Sequence, residues 1–123
     1  MSKVFIVSGA LAGLLAVLLG AFAAHGLREY LDIALLSTFK TGVQYQMYHA
    51  LALVLIGVLA HQYPGQRLLR WSGILFVTGI LLFSGSLYML ALTQISWFGP
   101  ITPVGGLAFM AGWLALAYAA TKF

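Results

Sequence analysis

"VFIVSGALAGLLAVLLGAFAA" (4–24) contains no charged side chain and is long enough to cross the hydrocarbon core of a bilayer as one helix. Its residues also sort by face. At 100° per residue, Gly9, Ala12, Gly13, Ala16, Gly20, Ala23 and Ala24 fall within an arc of about 120°, and Leu11, Leu14, Leu15, Leu18 and Phe22 take the opposite side. Gly9 and Gly13 form a GxxxG pair. Lipid gives helices no hydrophobic reason to associate, so small residues that admit close backbone approach must supply the packing. The glycine face is expected to meet a neighbouring helix and the leucine face to meet lipid.

The rest of the chain follows this lead. Of 123 residues, 63% are hydrophobic and 7% charged, against about 25% charged in a soluble domain. Lipid-exposed backbone must satisfy its own hydrogen bonds, which leaves helices or closed barrels, and these continuous apolar runs exceed the alternating ten-residue strands of a barrel. Further spans are expected at about 43–60, 71–92 and 103–120. The predicted fold is an all-α membrane protein, a single four-transmembrane-helix domain over 1–123. The turns "HQYPGQRLLR" (61–70) and "TQISWFGPI" (93–101) carry Pro–Gly punctuation. Thr102 is expected to cap the fourth span, with Pro103 at its first position. Leu27, Tyr30, Leu31, Ala34 and Leu35 share one face of 25–42, which predicts a short outer interfacial helix between spans one and two.

Lys3, Arg67, Arg70 and Lys122 fall on one side of these spans, and Arg28 and Lys40 on the other, diluted by Glu29 and Asp32. The positive-inside rule then puts both termini in the cytoplasm, with Trp71 and Trp97 as interfacial anchors. Lys3, the apolar run and "AFA" (21–23) also fit a signal peptide, but the run is long for one. Ser8-Gly9 echoes Ser72-Gly73 and "LAL" recurs at 51–53 and 114–116; membrane composition produces such matches without duplication.

Glycines recur as packing devices: Gly105 and Gly112 on span four, and Gly79 within a seven-residue stripe of Ser72, Gly79, Ser86 and Thr93 on span three. None belongs to a nucleotide-binding motif. The basic residues are scattered, which argues against nucleic acid, and the absence of cysteine excludes disulfides and thiolate chemistry.

Span two opens on "TGVQYQMYHALAL" (41–53), and there Gln44, Tyr45, Tyr48 and His49 share about 140° of helix, while Gln46 points elsewhere. His25 ends span one and Thr102 opens span four at the same side, and Ser86 matches the depth of His49. These residues define a candidate polar pocket at the outer face. His49 is expected to point inward and to bond a polar partner, Ser86 before Ser84, because Ser84 lies about 160° away from the Ser72–Gly79–Ser86 seam. One reading makes this stripe a register device, since polar groups in lipid need partners; the other makes it a functional pocket around a titratable histidine. His25 and His49 are of the type that ligates haem, but one is interfacial, the other deeper, and no supporting motif accompanies them. His61 reads as a solvated interface residue. No cofactor or metal is expected.

"LGAFAAHGL", "FKTGVQYQMYHALAL", "LLFSGSLYMLAL" and "ITPVGGLAFMAGWL" resemble, in this order, signature stretches of the YgdD/YwdK family of small inner-membrane proteins, to which a small eukaryotic transmembrane family is related. The resemblance covers nearly the whole chain. It departs at Ala23, where glycine is more usual. It implies a four-helix protein of the bacterial plasma membrane and brings no substrate or catalytic residue. With no carboxylate inside a span and no nucleophile–base pair, enzymatic activity is not expected. The expected role is a structural or regulatory partner of lipid or of another membrane protein, including a second copy. The alternative is a small channel or transporter using the pocket around His49.

Overall fold

Asp32 sets the architecture of the first half of the chain. Its backbone is extended, and its carboxylate accepts from the Leu35 N–H at 2.8 Å, so it caps a new helix. No proline follows until the next turn, and the helix runs unbroken as α2 (Ile33–Gln62). The computed structural model describes residues 1–123. Before α2 come α1 (Ser2–His25) and a single 3-10 turn, Leu27–Glu29. The separate interfacial helix expected in 25–42 is therefore absent. Residues 33–42 are the first turns of α2, and the face expected to lie flat is divided, with Leu27 buried and Tyr30 82% exposed.

The third span is one continuous rod, Arg67–Thr93. It consists of α3 (Arg67–Gly79), a π turn (Ile80–Ser84) and α4 (Gly85–Thr93). Gln94 closes it in the left-handed conformation with φ 59°, its N–H returning to the Leu90 carbonyl. A 3-10 turn (Ser96–Phe98) leads into α5 (Ile101–Ala120). The expected cap moves here: α5 begins two residues before Pro103, and the Thr102 hydroxyl turns to the third span instead of capping. All four rods are long and apolar enough to cross a membrane.

The small face of α1 lies on α2. A Cβ at Gly9 would sit 2.7 Å from the Ala50 carbonyl oxygen, so backbone meets backbone there, whereas Gly13 and Gly20 keep ordinary distances to Ala50 and Val43. On α5, Gly105 lies against the backbone of the π turn at Leu82–Phe83, and Gly112 against the Phe76 ring. Gly79 receives the Phe109 ring. Two apolar clusters result. The larger, around Phe5, Leu53, Ile56, Leu69, Phe76 and Phe109, involves all four spans. The smaller, around Ala23, Leu27, Phe39 and Ala91, lies towards the end opposite the chain termini.

Candidate functional site

The interior of α2 is centred on Gln46, His49 and Leu53, not on the whole stripe from Gln44 to His49. His49 is 3% exposed and fully engaged. Its Nδ1 lies 2.7 Å from the Tyr45 carbonyl, which can only accept, so Nδ1 carries the proton. Its Nε2 accepts from the Trp113 indole N–H at 3.1 Å. The two bonds together define a neutral ring with one tautomer. The ring stacks on Phe109 at 3.6 Å between centroids, and the Phe76 edge closes a further side.

The expected partner of His49 is thus replaced. Trp113 of the fourth span supplies the bond, and Ser86 pairs with the Thr102 hydroxyl and the Phe83 carbonyl. Ser84, placed by angle on an outward face, is wholly buried and donates to the Gly42 carbonyl at 2.7 Å. The reason is that the third span lies between α2 and α5, so two opposite faces are covered: Ser84 faces α2, and Ser86 faces α5. The seam itself runs along α5, with Ser72 donating to the Gly112 carbonyl at 2.7 Å, Gly79 under Phe109, and Ser86 on Thr102. Thr93, expected to continue it, is exposed and bonds its own helix at Met89.

The structure does not gather the remaining pocket residues. His25 and Gln44 are exposed, Tyr48 is half exposed, and Tyr45 lies at the edge with its ring on Phe83 at 4.8 Å. Gln46, which sequence reasoning turned away from the stripe, is the bridge of the first half. Its Nε2 donates to the Ala12 carbonyl at 2.8 Å and its Oε1 accepts from the Tyr88 hydroxyl at 2.6 Å, so it ties α1 to the third span. The available signal was that a lone amide within a span needs partners in whichever direction it points. These bonds share a device: Ser72, Ser84 and Gln46 all land on carbonyls of Gly112, Gly42 and Ala12, where no bulky side chain shields the oxygen. No buried side-chain nitrogen or oxygen lacks a partner.

Open space lies elsewhere. A groove of about 390 Å³ runs between α1 and the third span, walled by Leu11, Leu15, Val77, Leu81 and Gly85, with the paired Gln46 at its floor. Leu11, Leu15 and Leu81 are more than half exposed at its mouth, and a Cβ at Gly85 would meet nothing within 4 Å. A second concavity, of about 520 Å³, lies at the end that holds both termini, and a shallower one adjoins it at Lys3 and His61. His49, Ser86 and Thr102 line none of the three. The structure contains no group of three or more His, Cys, Asp or Glu able to hold a metal ion.

This architecture is matched in sequence by known membrane proteins. The "UPF0382 membrane protein YwdK" of Bacillus subtilis is 50% identical over 121 residues, 98% of each chain. Similar proteins of Staphylococcus haemolyticus and Staphylococcus epidermidis are 48% and 47% identical over 98% of each chain. No solved structure matches. Residues 19–106, from the last turns of α1 through α2 and the third span to the start of α5, match the family described as "Protein of unknown function (DUF423)". With nearly its full length matched in this way, the chain belongs to the DUF423 family of membrane proteins.

Proposed function

We propose that the protein is a non-enzymatic structural or regulatory element of the bacterial plasma membrane that acts by holding lipid between α1 and the third span. The observation that carries this reading is the pairing of inner and outer chemistry. The buried polar side chains are bonded within the bundle, to backbone carbonyls and to each other, while the largest apolar concavity opens sideways, where hydrocarbon is the surrounding solvent. A transport path would need polar space beside His49, and both of its nitrogens are bonded within the bundle. Catalysis would need a free nucleophile or base, and none of the buried polar side chains is free. The groove fits an acyl chain: its walls are mostly Leu, Ile and Val with Ser8 and Tyr88 among them, Gly85 leaves it open, and Gln46 offers no unpaired atom. Both termini face the cytoplasm, in keeping with the excess of Lys and Arg at their end.

Purification in native lipid followed by mass spectrometry of what remains bound tests this. The wild-type protein should retain a lipid through mild delipidation, and Gly85→Phe, which projects a ring into the groove, should lose it with helix content unchanged. Equal retention in the two would overturn the proposal.

A further inference from the structure

The termini end of the bundle carries a second feature, independent of the groove. Tyr63, Pro64 and Gly65 turn the chain between the second and third spans, and Gly65 takes φ 92°, a left-handed value that glycine adopts without strain. The turn walls a concavity of about 520 Å³ together with Ser2, His61, Gln66, Arg67 and Arg70. Three observations give it one electrostatic sign. Arg67, Arg70 and His61 all line it, and all are exposed. The chain has only two acidic side chains, Glu29 and Asp32, and both lie at the opposite end, where Asp32 is committed to capping α2. Finally, α3 starts here at Arg67 without a side-chain cap while α2 ends here at Gln62, so the opposed ends of the two helix dipoles offset each other and leave the sign to the side chains.

Like-charged side chains brought together in one concavity without acidic partners attract an anion. We infer that this concavity is a binding site for a phosphate-bearing anion held at headgroup depth. Two arginines three residues apart stand on one face of α3, and their planar guanidinium groups suit phosphate oxygens. Depth is marked by Trp71, adjacent to Arg70 and 54% exposed, as an interfacial aromatic. Basic pockets at the ends of spans are where anionic headgroups are recognised. The same phosphate chemistry is offered by a soluble phosphate compound, and the two sources separate experimentally.

The protein is reconstituted in discs of phosphatidylcholine with a minor fraction of phosphatidylglycerol, and retained lipids are counted by native mass spectrometry. A headgroup site predicts enrichment of phosphatidylglycerol over its share of the disc. Arg67→Gln with Arg70→Gln should reduce that enrichment about thirtyfold, or about fivefold for each arginine, while Arg28→Gln at the opposite end leaves it intact. A soluble source predicts instead that inorganic phosphate raises the Tm of wild-type protein in phosphatidylcholine discs, and that the double variant does not respond. The inference is overturned if wild-type protein shows neither effect, or if the double variant retains whichever effect is seen. The wild-type readings stand whether or not the variant folds, and neither involves Gly85.

Discussion

Replacing Gly105 by alanine probes the closest approach of any glycine to the backbone of another span. The added Cβ would sit 2.7 Å from Phe83 Cα and 2.8 Å from the Leu82 carbonyl carbon, and ordinary contact begins at 3.4 Å. The Phe83 backbone nitrogen lies nearer still, so the shortfall is at least 3.4 − 2.7 = 0.7 Å, and the opposing atoms are backbone of the π turn, which cannot swing aside. Helix α5 must retreat by about that distance, which forfeits between a quarter and a half of each dispersion contact along the seam. Overpacking of this kind costs about 1–3 kcal/mol. The retreat also strains the Ser86–Thr102 bond one turn away, worth about 0.6 kcal/mol in a membrane protein. We expect Gly105→Ala to destabilise by about 2–3 kcal/mol. Two controls isolate the cause. Gly106→Ala meets nothing nearer than the Phe83 ring at 3.8 Å, and Gly85→Ala meets nothing within 4 Å. Both also remove a glycine from a helix, so both should be neutral or stabilise by up to about 1 kcal/mol. Unfolding in mixed micelles titrated with dodecyl sulfate, followed by far-ultraviolet circular dichroism, measures all three. A Gly105→Ala protein within about 0.5 kcal/mol of wild type, or a Gly106→Ala protein equally damaged, would refute the packing argument.

Other perturbations address the polar bonds and the topology. In a double-mutant cycle, His49→Leu and Trp113→Phe should show a coupling of about 0.6–1 kcal/mol, and a coupling near zero would mean the indole bond contributes nothing. Gln46→Leu should loosen α1 from the third span, raising protease and hydrogen-exchange access at Ala12 and Tyr88, whereas Gln44→Leu, on the exposed side, should leave both unchanged. Reporter fusions after Phe123 and within residues 93–100 should report opposite sides of the membrane, with the C-terminus cytoplasmic; a periplasmic C-terminus would reverse the orientation.

The spans and their small faces were legible because both follow from composition and a fixed 100° step. Gly9, Gly79, Gly105 and Gly112 all prove to be contact points, although Gly13 and Gly20 are looser than the GxxxG pattern suggested. The same angular step failed for Ser84, because angle reveals which residues share a face but not how many faces are covered. A span flanked by two neighbours buries opposite sides, and Ser84 and Ser86 occupy one each. Trp113 was read as part of an apolar helix, yet its N–H is the donor that His49 needs. The π turn at Ile80–Ser84 left no mark in composition, and the glycine packed against it, Gly105, lies on another span. Asp32 is a cap legible in the sequence, an aspartate three residues before the N–H that it accepts from.

The lipid-holding role is tested most directly by crosslinking with a phospholipid that carries a diazirine on its acyl chain, with the modified residues mapped by peptide mass spectrometry. Leu11, Leu15 and Leu81 of the groove and Leu107 and Leu114 on the outer face of α5 are all more than half exposed. A chain held between α1 and the third span predicts modification concentrated on Leu11, Leu15 and Leu81, and abolished there in Gly85→Phe. Modification spread evenly over both sets, or greater at Leu107 and Leu114, would contradict it.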